Sequence, residues 1–264
     1  MERPVTVSTD ASRLRAFWNR RYSAFTLSES GWLCAGEQLN DRIYACKRQA
    51  LGRALASLGL TRRDAFSVLD AGCGQGRFAS IYREDYPRAT YVGVDISDRA
   101  VEHLRESMPD VEFHAADLCE WRDSLERTFD VVQSFEVLHL MLEAETTERA
   151  IASLASKLSP RGALLVTAAL PESDVQLSDY LCHRSRSFWA RVLASRGLRI
   201  VASRPMYYWL PAGGPANRYL RYAMTRLGVD ALYAIDRAAL ALGVLQPAAA
   251  SLDCRMRLLT IQRS

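Results

Sequence analysis

With 264 residues, 49% of them apolar, the chain can bury a sizeable core, which sets aside intrinsic disorder. Its net charge of +4 comes from scattered arginines, only Lys47 and Lys157 being lysine and no basic run being longer than a pair, as in the Arg-Arg pairs at Arg20 and Arg62, so nucleic acid is disfavoured as a substrate. No run of about 18 uncharged apolar residues occurs and the amino terminus is polar, so neither a membrane span nor a secretory signal is expected and a cytoplasmic protein is.

Residues 10–59 read as a helical, aromatic-rich cap containing Trp18, Tyr22 and Trp32. A core follows over 60–205, where short apolar runs alternate with helical patterns, the signature of a parallel sheet with crossover helices. The expected strands are 66–71, 90–95, 111–116, 129–134 and 162–170, each apolar enough to be buried on both faces. Between them, "GRFASIYRED", "DRAVEHLRES" and "TERAIASLASKL" carry helical periodicity, the last ended by the Pro/Gly signal in "SPRG". A helix in "SFWARVLASRG", a strand in "LRIVAS", an apolar helical insertion over 206–250 and a last strand over 254–262 complete the chain. One domain is expected over 1–264, the cap and the insertion lying where they could cover a site at the carboxyl ends of the strands.

The loop "DAGCGQGR", from Asp70 to Arg77, departs from the dinucleotide frame GxGxxG at its last position. What stands instead is D-x-G-x-G-x-G, with Gly72, Gly74 and Gly76 preceded by a carboxylate. A pyrophosphate wants bare amide donors, whereas a ligand with an ammonium or sulfonium centre gains from the Asp70 charge, directly or through water. The next strand ends at Asp95, where an acid can accept hydrogen bonds from both hydroxyls of a ribose. A third ends at "AAD", putting Asp117 and Leu118 where an adenine's exocyclic amine and face would meet them.

Together "VLDAGCGQGRFA", "YVGVDIS", "HAADL", "FDVVQSFEVLHLM" and "LSPRGALLVT" resemble the class I S-adenosylmethionine-dependent methyltransferases, in the branch that acts on small molecules, over roughly residues 64–204. The resemblance implies a Rossmann-like, doubly wound, seven-stranded and mostly parallel α/β sheet whose last strand is antiparallel and inserted beside the fifth. It implies S-adenosylmethionine as cofactor, with S-adenosylhomocysteine as product. It carries over the loop Gly72, Cys73, Gly74 and Gly76 to the methionine portion, Asp95 to the ribose, and Ile96, Asp117 and Leu118 to the adenine. Gln133 and Ser134, at the end of the fourth strand, would approach the methionine portion.

Methyl transfer is an in-line displacement, so the protein mainly aligns donor and acceptor and keeps water out; a base matters where the acceptor sheds a proton. Glu136 and His139 in "SFEVLHLM" are the candidates, as acceptor-orienting carboxylate and base, sharing one face if the segment turns helical. The E-x-x-E-H metal pattern of some quinone-biosynthetic relatives is broken here, His139 and Leu140 standing at its last two positions, so no metal is expected. The six cysteines are dispersed without a CxxC pair and read as reduced thiols. His103 and His114 read as structural, and His183 is a secondary candidate over the acceptor. With Trp18, Tyr22, Trp32, Tyr207, Tyr208 and Trp209 lining a broad apolar pocket, the expected acceptor is an aromatic or lipid-like small molecule. The amphipathic helices of 206–250 admit peripheral membrane contact or a dimer interface, so monomer and homodimer both stay open. A protein that binds the same cofactor without transferring methyl, and an RNA or protein methyltransferase, are the rival readings.

Overall fold

The computed structural model describes residues 9–26, 36–120, 126–206 and 256–264, together with Glu29 and several helical positions between 228 and 242. Nine strands are numbered in chain order: β1 (Ser67–Ala71), β2 (Thr90–Asp95), β3 (Glu112–Ala115), β4 (Phe129–Ser134), β5 (Leu158–Ala168), β6 (Val175–Ser178), β7 (Leu181–His183), β8 (Leu198–Pro205) and β9 (Arg257–Arg263). The α-helices whose bounds lie wholly among the described residues are α1 (Thr9–Arg21), α2 (Gly36–Ser57), α3 (Arg77–Asp85), α4 (Asp98–Ser107), α5 (Ala144–Ser156) and α6 (Arg186–Ala194).

Seven strands form one sheet in the order β3-β2-β1-β4-β5-β9-β8, with β1 to β5 parallel and β9 antiparallel to both its neighbours. The expected Rossmann-like sheet is the one observed. Strand order reverses between β1 and β4, and a crevice opens at that point beyond the carboxyl ends of the strands.

Each strand is apolar on both faces because both faces are covered. Leu69, Val132, Leu164 and Val166 join one core cluster with α5 and α6, while Val68, Val131 and Leu165 join another with α2 and α3. Adjacent residues of β5 thus serve opposite cores, as the two-residue period of a strand requires.

Helix starts follow local chemistry. Ser97 caps α4 by accepting from the Ala100 amide at 3.2 Å, and Ser185 caps α6 by accepting from Phe188 at 3.3 Å. Gly76 opens α3 from a left-handed conformation, φ 72°, and a Cβ there would stand 2.5 Å from Leu104 Cδ2.

Several boundaries differ from the sequence reading. "SPRG" does not precede β5 but lies in it: α5 stops at Ser156 and Leu158 already pairs with Phe129. An irregularity in the ladder between Phe129 and Val131 absorbs the Pro160 to Gly162 stretch, and a Cβ on Gly162 would meet the Phe129 carbonyl at 2.7 Å. Strand β3 is shorter than expected, Val111 and Ala116 lying outside it, and the hairpin β6–β7 was not expected. Trp32, Tyr207, Tyr208, Trp209 and most of the 206–250 insertion lie outside the described residues.

Candidate active site

The crevice is a pocket of about 1130 Å³ including its open mouth. Its floor is the β1–α3 loop, where Gly72, Gly74 and Gly76 all have positive φ. Substitution is blocked by space as well as by backbone: a Cβ on Gly72 would lie 2.1 Å from Val137 Cγ2, and one on Gly74 would lie 3.0 Å from the Tyr22 hydroxyl. The loop is therefore pressed between the β4 exit and α1.

Asp95 ends β2 in the pocket wall, 8% exposed. Its Oδ2 accepts from the Gly74 amide at 2.8 Å and its Oδ1 from the Ser97 amide at 2.9 Å. Burial raises its pKa, and these amide donors offset only part of that rise. The Ile96 amide bears on the carboxylate as well, and the lone-pair capacity left over is what a ribose hydroxyl could use. Ile96, Ala116, Asp117, Leu118 and Cys119 continue the wall, and Asp117 is fixed by accepting from the Cys119 amide at 2.9 Å.

The structure divides the other expected site residues. Gly72, Cys73, Gly74, Asp95, Ile96, Asp117, Leu118 and Glu136 line the pocket. Asp70, Gln133 and Ser134 do not: they turn into the protein behind the loop. Asp70 accepts from the Tyr91 hydroxyl, Gln133 Oε1 accepts from Tyr82 at 2.9 Å, and Ser134 donates to the Ala71 carbonyl at 2.9 Å. Gly76 is likewise absent from the wall and serves the packing of α3 on Leu104.

Glu136 and His139 are not brought together. Their segment makes only a short 3-10 turn, Leu138–Leu140, and Glu136 before it has φ 59°, so the expected shared helical face does not form. Glu136 faces the pocket, while the His139 ring lies 5.5 Å from that of His183, away from the pocket wall. His183 is itself buried and outside the wall. His103 stacks on Phe25 at 3.8 Å and His114 contacts Glu112 at 2.5 Å, as structural roles require.

Lys47, on α2, was missed in the sequence. Its ammonium lies 3.0 Å from Glu136 Oε2, is 3% exposed, and stands 4.5 Å from the Tyr44 ring centre. Burial is the largest influence and acts to lower its pKa, but Glu136, Tyr44 and Cys46 together outweigh it and the net direction is upward. A signal was present: it is one of two lysines in an arginine-rich chain, three positions from Tyr44 on the same helical face.

Helix α1 covers the pocket with Ala11, Leu14 and Trp18, joined by Tyr22 just past its end. It is held to α4 by Arg15 on Asp98 at 2.7 Å and by the Ser97 hydroxyl, which donates to Asn19 Oδ1 at 2.7 Å. On the other side Phe17 stacks on Tyr180 at 6.0 Å and Arg13 donates to the Asp179 carbonyl at 3.1 Å. Among the described residues no group of three or more His, Cys, Asp and Glu side chains could hold a metal ion.

Residues 68–162, which include the glycine loop and the buried acid at the switch point, match the family described as "Methyltransferase domain". That segment is a methyltransferase domain. The chain is 30% identical over 146 residues to a trans-aconitate 2-methyltransferase from Azoarcus sp. (strain BH72), a match covering 55% of this chain and 54% of that one. The chain spans about half the length of the curated relatives it matches. In fold it is similar to the magnesium protoporphyrin IX methyltransferase of Synechocystis PCC 6803, solved with bound SAM, at TM-score 0.57 and 16% identity over 97% of both chains. It is also similar to the O-methyltransferase of a trans-AT PKS multienzyme of Brevibacillus brevis, solved with S-adenosyl-L-homocysteine, at TM-score 0.58 and 16% identity over 85% and 75%. No helix among the described residues is long and apolar enough to cross a membrane.

Proposed function

We propose that the protein is an S-adenosylmethionine-dependent methyltransferase acting on a hydrophobic small-molecule acceptor, of natural-product, quinone-like or lipid-like kind. The observation that carries the cofactor part is Asp95: a buried carboxylate in the pocket wall, braced by backbone amides of Gly74, Ile96 and Ser97, with lone-pair capacity left for a ribose hydroxyl. Bound S-adenosylmethionine supplies an electrophilic methyl group on a sulfonium. The glycine loop lets the ligand approach the backbone closely, Asp117 and Leu118 suit an adenine, and α1 closes over the pocket to exclude water.

The acceptor part is supported by the aromatic wall of Trp18, Tyr22, Tyr44, Phe78 and Phe135. Within that wall Glu136 orients the acceptor by accepting a hydrogen bond from the group to be methylated. His139, turned toward His183, is left out of this reading. We infer that residues 10–59 act as the cap of a single domain and that the 206–250 insertion completes the acceptor side.

Titration calorimetry with S-adenosylhomocysteine tests the assignment. Asp95→Ala is expected to weaken binding by about 1.5 to 3 kcal/mol through loss of charge-assisted hydrogen bonding to the ribose; an unchanged affinity removes Asp95 from the site. Incubating the protein with methyl-labelled cofactor and a panel of phenols, isoprenoid alcohols and hydroxy acids is expected to label at least one acceptor. Tight cofactor binding with no labelled product on any of them favours a non-methylating, cofactor-binding role.

A further inference from the structure

Within the aromatic end of the pocket stands a charge pair that comes from two distant parts of the chain: Lys47 on α2 and Glu136 beyond β4, 89 positions apart. Both partners line the pocket, and both are largely withdrawn from solvent, at 3% and 17% side-chain exposure. Burying an ion pair is costly unless its geometry is good, and this one is direct, at 3.0 Å. Glu136 also occupies left-handed backbone at φ 59°, a conformation that costs a non-glycine residue energy and persists only where its surroundings enforce it. Two contacts enforce it from opposite ends of the residue. The Glu136 amide donates to Thr167 Oγ1 of β5 at 2.7 Å, and the carboxylate is held by Lys47.

We propose that Lys47 is a positioning residue that holds the Glu136 carboxylate, charged, at the acceptor end of the pocket. This rests on the methyltransferase reading, because it takes the aromatic end to be where the acceptor sits. Lys47 is itself fixed from below by Tyr44, whose ring also carries the Arg77 guanidinium at 5.5 Å. Tyr44 and Cys46 of α2 are the other titratable groups that bear on the ammonium. A lysine in this place keeps its charge, so it acts on the carboxylate and not as a proton acceptor. The carboxylate then offers the acceptor a fixed hydrogen-bond acceptor instead of a neutral acid.

The test is difference infrared spectroscopy across pH 4 to 9 on the wild type, Lys47→Met, Lys47→Arg and Glu136→Gln, the last identifying the Glu136 band. Loss of the opposite charge is expected to raise the pH at which the Glu136 band titrates by about one unit or more in Lys47→Met, while Lys47→Arg restores the wild-type curve. Identical curves in wild type and Lys47→Met overturn the proposal. Thermal melting of each variant shows that it is folded, and Lys47→Arg keeps the test alive if Lys47→Met is not. S-adenosylhomocysteine affinity, measured on the same samples, is expected to stay within about threefold of wild type in Lys47→Met. A tenfold loss or more assigns the ammonium to that ligand's carboxylate and overturns the proposal. No binding by the wild type overturns the methyltransferase reading instead, and leaves the infrared comparison to decide the role of Lys47 on its own.

Discussion

Three carboxylates at three successive strand ends look equivalent in the sequence, and their side chains have different fates. Asp95 and Asp117 line the pocket, whereas Asp70 is 1% exposed and sealed among Tyr91, Gln133 and the loop. Burial pushes the Asp70 pKa up to about 6 from 3.8, with the Tyr91 and Gln133 donors holding it back. A carboxyl whose native pKa lies above its unfolded value binds more protons in the native state between the two, so its contribution to stability falls as pH rises from about 4 to about 6. Asp70→Asn is therefore expected to gain in urea midpoint, relative to wild type, on going from pH 4.5 to pH 7, by a free energy of about 1 to 3 kcal/mol. An equal difference between the two proteins at both pH values would remove Asp70 as the source of the slope.

Helix α1 is the element whose role depends most on its neighbours. Its own sequence is polar and short, and isolated helices of this length are marginal in water, so its place over the pocket comes from docking. The Arg15–Asp98 pair is half exposed and adds little, while the partly buried bond from Ser97 to Asn19 ties α1 to the same residue that braces Asp95. The double variant Arg15→Ala, Asn19→Ala is thus expected to raise the dissociation constant for S-adenosylhomocysteine about three- to tenfold, with the melting temperature within about 2 °C of wild type. A large fall in melting temperature with no change in affinity would make α1 a structural buttress and not a cover.

At the scale of the whole molecule the sheet is a shared wall between two cores. Leu164 and Leu165 are both 0% exposed and belong to different clusters, so each Leu→Ala substitution is expected to cost about 2 to 5 kcal/mol. Because both clusters rest on the same strand, the two variants are expected to lower one common transition in urea, followed by tryptophan fluorescence and far-ultraviolet circular dichroism. Separated transitions in either variant would show that the two faces unfold independently. Much of the scattered charge fits this picture: pairs such as Arg48–Glu84, Arg83–Asp110 and Arg191–Glu148 lie on helix surfaces and loops, while Lys47 and Glu136 form a pair whose partners both line the pocket.

Much of this architecture was legible in the chain itself. The strands β1, β2 and β4, the glycine loop and the acid at Asp95 follow from apolar runs, glycine spacing and capping residues, all of which act within a few positions of one another. The "SPRG" boundary was misread because strand pairing with Phe129 outweighs a local stop signal. Which way a side chain faces was not legible, since Asp70 and Asp95 differ only in what packs around them. Nor was the pairing of Lys47 with Glu136, or the seating of α1 on Ser97 and Tyr180, because these contacts join residues tens of positions apart whose meeting depends on the closed sheet. Local chemistry determined the elements and the glycine loop; long-range packing alone decided which of the acids face the pocket and what holds Glu136 there.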